Sequence, residues 1–364
     1  MAALARSSLF HAATRISRYL NQPQKRQIFT AAIPHIKRHV LGPNCSLDNE
    51  SFYEMYKLSG TALRRVVRQY GCINMTKQPI KEPQVVFKDL DLTTANSYGL
   101  ILKLNLKLPK EFGLSTVSHP RDLSLPFITG KHSVAVPNGE ERKFLAALNQ
   151  HSLEAVKNDE LEPFSDAVST WAELKSMNKK VGFVTSNFVE TALLFSQKYG
   201  FHTDFVVGSR PESPSVDKGA AMARLMKEHK AENGMLVTDS QNDLVSRADA
   251  LPFLPRGTHI YTALTLGNQQ QFFNTADHWL LYCPFYPWQI LPVKDTFPTT
   301  GVPADLVTWK LRHLPEAMNS PKKIVSFDDI RHDFLKGPEL THPIARQIAE
   351  YFLNAREEYV KRQE

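Results

Sequence analysis

The sequence predicts an α/β fold in which a parallel sheet is covered by helices on both faces. Three observations carry that expectation. Between residues 163 and 237, short apolar runs alternate with stretches of helical spacing, joined by short connections. Such alternation is the mark of a sheet buried on both sides. An earlier apolar run, residues 84–87, leads into an acidic turn as a buried parallel strand does. Small polar groups follow these runs, at the C-terminal strand ends where open parallel sheets bind ligands.

Taken in order, residues 51–70 carry apolar side chains at helical spacing (Tyr53, Tyr56, Leu63, Val66, Val67), and Gly71 is a stop. The strand over 84–87 comes next. Residues 94–160 break the rhythm, with a Pro- and Ser-containing middle (109–139) before a helix over 140–157. The alternation then resumes: helix 165–177, strand 180–184, helix 189–199, strand 205–207, helix 217–229 and strand 235–237. Asp217 is placed to cap the helix that it precedes, and the crossovers should be right-handed. Beyond residue 300 the pattern weakens, although Ile344, Ile348, Tyr351, Phe352 and Ala355 mark one face of a final amphipathic helix.

The domain plan is a basic arm (1–47), a helical extension (48–83), a core (84–93 and 160–300) interrupted by residues 94–159, and a helical C-terminal extension (301–364). The chain's net charge of +7 is confined to the arm. Residues 1–47 hold seven basic side chains and no acid, leaving 44 − 7 = 37 basic against 37 acidic residues in 48–364. This distribution, with no basic groove of interleaved aromatics, argues against nucleic-acid binding. An acid-free arm with Arg, Ser and Ala has the composition of a mitochondrial transit peptide, which would place the protein in the matrix. A cytoplasmic protein, or a bacterial secreted one, could carry the same arm.

Cys45, Cys72 and Cys283 form no CxxC pair, which fits a reducing compartment. No run approaches the ~20 apolar residues of a transmembrane helix. The nearest candidate, residues 278–293, is broken by Pro284, Pro287 and Pro292 and reads as a packed loop or a protein-partner surface, a role open to the arm as well.

Four short patterns carry the candidate chemistry. Asp89-Leu90-Asp91-Leu92-Thr93 follows strand 84–87, and Thr185-Ser186-Asn187 follows strand 180–184. Lys218 opens a helix, and Asp239-Ser240-Gln241-Asn242-Asp243 follows strand 235–237. Each is commonplace alone, since acidic turns after strands are frequent and a lysine at a helix start is ordinarily solvated. Together they set several carboxylates, one cation and hydroxyl donors along one sheet edge. Phosphoryl transfer calls for this inventory: a carboxylate nucleophile, cations that neutralise its approach to a phosphate, and an acid for the leaving oxygen.

In these four patterns the chain resembles the haloacid dehalogenase-like (HAD-like) hydrolase superfamily. Val85-Val86-Phe87 ending in Asp-Leu-Asp-Leu-Thr is similar to its first motif, and Phe183 to Asn187 to its second. Lys218 in Ser-x-Asp-Lys-Gly is similar to the third. Asp-Ser-x-Asn-Asp resembles the fourth, in the form of the phosphoserine-phosphatase-like branch. The resemblance covers residues 84–93 and 160–250. It implies a Rossmann-like core, a small cap at 94–159 and Mg²⁺-dependent hydrolysis of a small phosphomonoester through an aspartyl-phosphate. It further implies Asp89 as nucleophile, Asp91 as general acid and base, and Thr93 as a loop support. Ser186, Asn187 and Lys218 would hold the phosphate, with Asp89, Asp91, Asp239 and Asp243 at the metal.

Three residues depart from the pattern: Lys88 before the nucleophile, Leu92 within the first motif, and Thr238 where glycine often precedes the fourth. The charge-free stretch 94–99 offers no glutamate for an amino group, so phosphoserine itself is poorly supported. A dehalogenase has no need of Asp91, which favours phosphate chemistry. A phosphomutase and a catalytically weak interaction protein are the other readings.

Overall fold

A computed structural model describes residues 37–38, 40–112, 141–213, 216–239, 241–267, 304–320 and 324–363. Most of the basic arm, most of the irregular middle, Ser215, Ser240, Cys283 and the apolar segment 278–293 lie outside them.

The described strands are β1 (Cys72–Asn74), β2 (Val85–Lys88), β3 (Lys180–Phe188), β4 (Val206–Ser209), β5 (Asn233–Thr238), β6 (His259–Thr265), β7 (Leu306–Thr308) and β8 (Val325–Ser326). They form one sheet in the order β4-β3-β2-β5-β6-β7-β1-β8. From β4 to β7 every neighbouring pair is parallel; β1 then runs antiparallel to β7 and parallel to β8. β2 lies between β3 and β5 with all four of its residues buried, because Val85 and Phe87 serve one face while Val86 and Lys88 serve the other.

The helices among the described residues complete the layers: α1 (Asn49–Tyr70), α2 (Tyr98–Glu111), α3 (Glu141–Lys157), α4 (Ala167–Ser176), α5 (Val189–Tyr199), α6 (Lys218–Glu228), α7 (Gln241–Ala250), α8 (Leu314–Asn319), α9 (Phe327–Leu335) and α10 (Pro343–Gln363). One sheet face packs against α2 to α5 and α8, through Val86, Phe183, Met235, Val237 and Trp171. The other face packs against α6 beside β2 and β5, then against α1, α9 and α10 beside β6, β7 and β1. The expected helix stop holds at Gly71, which closes α1 at φ 75° with its N–H on Val67 O.

The two extensions are not simply helical, as the sequence suggests. β1 belongs to the first and β7 and β8 to the second, and together they lengthen the sheet. Cys72 pairs with Thr308, so neither extension could complete this edge alone. The arm also ends earlier than residue 47, since Val40 is buried among α1, α9 and α10 and its carbonyl accepts from Gln347. Among the described apolar side chains of α10, Ala345, Ile348, Ala349 and Leu353 are buried, and Ile344 and Tyr351 pack against them. Ile348, Ile344 and Tyr351 thus face the core as expected, and buried Arg356 on the same helix reaches inward to Met75 O (3.0 Å) and Asp328 (2.5 Å).

Residues 97–161 leave and re-enter the core through a paired neck. Asn96 N donates to Glu162 O (2.8 Å) and Phe164 N to Thr94 O (3.0 Å). Beyond it, α2 and α3 turn Leu100, Leu104, Leu108, Phe144, Leu145 and Leu148 into the apolar cluster of the sheet face.

Lys88 is fully buried beside Trp171, with its Nζ 5.3 Å from the ring and without a hydrogen-bond partner among the described residues. Burial pushes its pKa down to about 7, against a smaller opposing pull from Asp166. Below about pH 7 folded and unfolded chains both carry the charge, and the burial cost is borne in full. As pH rises from about 7 toward the unfolded value of 10.5, the folded state sheds its proton first and gains stability. Lys88→Met should therefore raise Tm most at pH 6–7 and progressively less toward pH 10, in thermal melts of both chains across that range.

Candidate active site

The first motif begins as β2 ends. Asp89 N donates to Val237 O on β5 (3.0 Å), so the loop stays tied to the neighbouring strand beyond the ladder. Thr94 Oγ1 then donates to Asp89 O (2.8 Å), and the N–H groups of Thr94 and Ala95 turn back to Leu90 O. Leu92 takes φ 57°, a left-handed conformation that costs an L-residue ~1–2 kcal/mol. Bonds from its N–H to Ala95 O (2.9 Å) and Ser97 Oγ (3.2 Å) hold it there.

β3 continues to Phe188, four residues past the expected end, with a register shift against β4 between Val184 and Phe188. The second motif occupies this irregular stretch. Thr185 Oγ1 accepts from Asn187 N (3.1 Å), and Ser186 O accepts from Ser209 Oγ (2.8 Å). Asn187 Nδ2 donates to Asp91 Oδ2 (3.0 Å), while its Oδ1 accepts from Phe188 N (2.7 Å). One N–H of the amide expected at a phosphate is thus given to Asp91, and half-buried Ser186 is the hydroxyl of this motif nearest to solvent.

Lys218 heads α6. Asp217 caps the helix through Ala220 N (2.9 Å), as expected, and Gly219 lets the first turn lie against α7, where a Cβ would meet Ala250 N and Ser246 O at 2.9 Å. Lys218 Nζ donates to Asp89 Oδ1 (3.0 Å) and Asp243 Oδ1 (2.6 Å). Asp243 Oδ2 accepts from Thr238 Oγ1 (2.8 Å), and Asp239 Oδ1 from Thr93 Oγ1 (3.0 Å), the loop support foreseen for Thr93. Each Asp243 oxygen therefore accepts one bond, and Asp243, expected at the metal, is also the seat of Lys218.

The electrostatics follow from four carboxylates gathered around one ammonium. Burial raises the Asp89 pKa well above its usual range; Lys218 pulls it down, and Asp243, Asp239 and Asp91 push it up again. Burial likewise raises Asp91, against smaller lowering by hydrogen bonds from Ser97 and Asn187. Asp91 Oδ1 is buried with no hydrogen-bond partner among the described residues. For Lys218 burial acts downward, but Asp243 and Asp89 outweigh it and raise the pKa.

This negative excess is the test of whether a divalent cation fits. Among the described residues no three acidic, His or Cys side chains stand ready-gathered as a metal cage. Mg²⁺ needs less, since it keeps several waters and takes one or two carboxylates with substrate phosphate. Asp89 and Asp239 offer such a pair, and a cation beside Asp89 would favour its ionised form.

Residues 85–250 match the haloacid dehalogenase-like hydrolase family. Over this part the chain is similar to that family. No curated protein matches the chain. Among solved structures, it is similar to a haloacid dehalogenase-like hydrolase from Streptococcus pneumoniae (18% identity, TM-score 0.39, 50% of this chain and 84% of that one). It is also similar to a predicted phosphatase from Clostridium acetobutylicum (14%, 0.44, 66% and 100%) and a hydrolase from Pseudomonas syringae (11%, 0.44, 65% and 98%). Likeness this remote says nothing further about chemistry.

Sequence reasoning found the charged members of the site but missed Thr94 and Ser97, which shape the first-motif loop from the charge-free stretch. Removing the central cation should be costly. Lys218→Met strands two buried carboxylates and should destabilise the fold by ~3–5 kcal/mol, read as a fall in the urea midpoint at neutral pH. Asp243→Asn added to Lys218→Met should recover part of that loss.

Proposed function

We propose that the protein is a Mg²⁺-dependent phosphatase that cleaves a small phosphomonoester through an aspartyl-phosphate. The observation that carries this reading is the placement of Lys218 Nζ between buried Asp89 and Asp243, with Asp91 and Asp239 beside them. Asp89 attacks phosphorus, and its carboxylate oxygen forms the new P–O bond as the ester oxygen departs. Asp91, whose raised pKa favours the protonated form, gives its proton to that oxygen. Asp91 then takes a proton from water, whose oxygen attacks the phosphoryl group and frees Asp89 and phosphate. Lys218 supplies fixed positive charge throughout, and Ser186 is suited to hold a phosphate oxygen. A bound Mg²⁺, held by Asp89 and Asp239, would neutralise the phosphate so that a carboxylate could approach it. Residues 94–159, in the place of a cap, would exclude water and select the substrate.

The test is release of phosphate from an alkyl and a nitrophenyl ester, with Mg²⁺ and after chelation. Turnover should require the metal, and Asp89→Asn should abolish it on both esters. A basic alkoxide needs the proton of Asp91 far more than a nitrophenolate does. Asp91→Asn should accordingly slow single-turnover cleavage of the alkyl ester ~10²–10⁴-fold and of the aryl ester much less. Equal losses on both esters would remove Asp91 from the acid's role, and metal-independent turnover would overturn the reading as a whole.

A further inference from the structure

Thr238 enters the sequence comparison only as a departure, a threonine where glycine is common. The structure gives its hydroxyl a partner. Thr238 is the last residue of β5 and is fully buried; Asp243, five residues on in the first turn of α7, is almost fully buried. Thr238 Oγ1 donates to Asp243 Oδ2 at 2.8 Å, while Lys218 Nζ holds Oδ1 at 2.6 Å. The chain of contacts ends at Asp89 Oδ1, 3.0 Å from the same ammonium.

The threonine is itself firmly set. Its backbone lies in register with Leu264 of β6, and its carbonyl accepts from Thr265 Oγ1 at 3.4 Å. A β-branched residue has restricted χ1 freedom, so the hydroxyl inherits the rigidity of the strand. Thr238 thereby fixes the plane of the Asp243 carboxylate, and that plane fixes the direction from which Asp243 holds Lys218. Glycine would leave Asp243 Oδ2 buried without this donor, and the carboxylate could turn about its own axis. Stabilisation of developing charge depends on donors held in place beforehand, so a loosened ammonium costs rate more than binding.

We infer that Thr238 is a positioning residue that acts through Asp243 to fix Lys218 against Asp89. The inference deepens the reading of Asp89 as nucleophile and Lys218 as its charge partner, and rests on it. Thr238→Val removes the hydroxyl at nearly constant shape, Thr238→Gly installs the commoner residue, and Thr238→Ser keeps the donor.

The experiment uses the full chain and two readouts, with melting curves to establish that each variant is folded. Competitive acetylation with acetic anhydride, followed by mass spectrometry, reports how tightly Lys218 is held without needing turnover. Steady-state kinetics on nitrophenyl phosphate with Mg²⁺ reports kcat and KM separately. A hydrogen bond to a charged group is worth about a ten- to hundred-fold factor. Val and Gly should therefore raise Lys218 acetylation about ten-fold and lower kcat ~10–100-fold, with KM within about three-fold. Ser should restore both. If Val fails to fold, the comparison of Gly with Ser decides. Acetylation and kcat in Thr238→Gly equal to the native chain, or Ser as impaired as Gly, would overturn the inference while leaving the proposed activity in place. Faster acetylation in Gly but not Ser, in a native chain that releases no phosphate, would uphold the positioning of Lys218 and defeat the phosphatase reading.

Discussion

One ammonium group holds this site together. Four carboxylates within mutual influence, three of them buried, would ordinarily take up protons or force their strands apart, and burial does raise Asp89 and Asp91. Lys218 bridges Asp89, just past the end of β2, and Asp243, the last residue of the fourth motif, in the first turn of α7. The pair of contacts neutralises charge and also joins segments 154 residues apart in sequence (243 − 89), so electrostatic and topological roles fall on one side chain. A buried ion pair gives little net stability over an apolar substitute, and its value lies in the arrangement that it imposes.

The sheet makes that arrangement available. A central strand with two parallel neighbours delivers three chain segments to one edge, and short bonds beyond the ladder carry the order into the loops. Asp89 N on Val237 O continues the β2–β5 pairing by one residue, and Ser209 on Ser186 O bridges β4 and β3 across a register shift. Irregularity is concentrated where the chemistry is proposed. Leu92 is left-handed and β3 slips at Thr185 to Asn187, whereas β5 and β6 pair without interruption from Asn233 to Thr238.

What the sequence disclosed follows from how each element is specified. β2, β3 and β5 are continuous apolar runs buried on both faces, and α5 and α6 have defined starts, so local patterns sufficed for them. β1, β7 and β8 are three, three and two residues long, and β1 meets both of the others across more than 200 positions, as Cys72 with Thr308 does. No local periodicity can announce such strands. On α10 the apolar spacing marked the core-facing residues Ile344, Ile348 and Tyr351, whereas the inward reach of buried Arg356 to Met75 and Asp328 is a tertiary matter. Within the site, carboxylates and lysine were legible because charge at a strand end is conspicuous. Asn187 was read as a phosphate contact from the family resemblance, and only the fold could reveal that its amide also donates to Asp91. Neutral hydroxyls such as Ser97 look like ordinary loop residues until their partners are in place.

The neck at residues 94–96 and 162–164 separates two kinds of change that a protein of this plan can undergo. Its two strands of chain are already hydrogen-bonded to each other, so the core fixes the distance that any insert must close. Closure entropy grows only logarithmically, with each doubling of a flexible insert costing ~0.6 kcal/mol. Length and composition beyond the neck can accordingly drift at small thermodynamic cost, while Asp89, Asp91 and Lys218 stay on the rigid side of it. Such a division would let substrate preference diversify between lineages faster than the reaction itself.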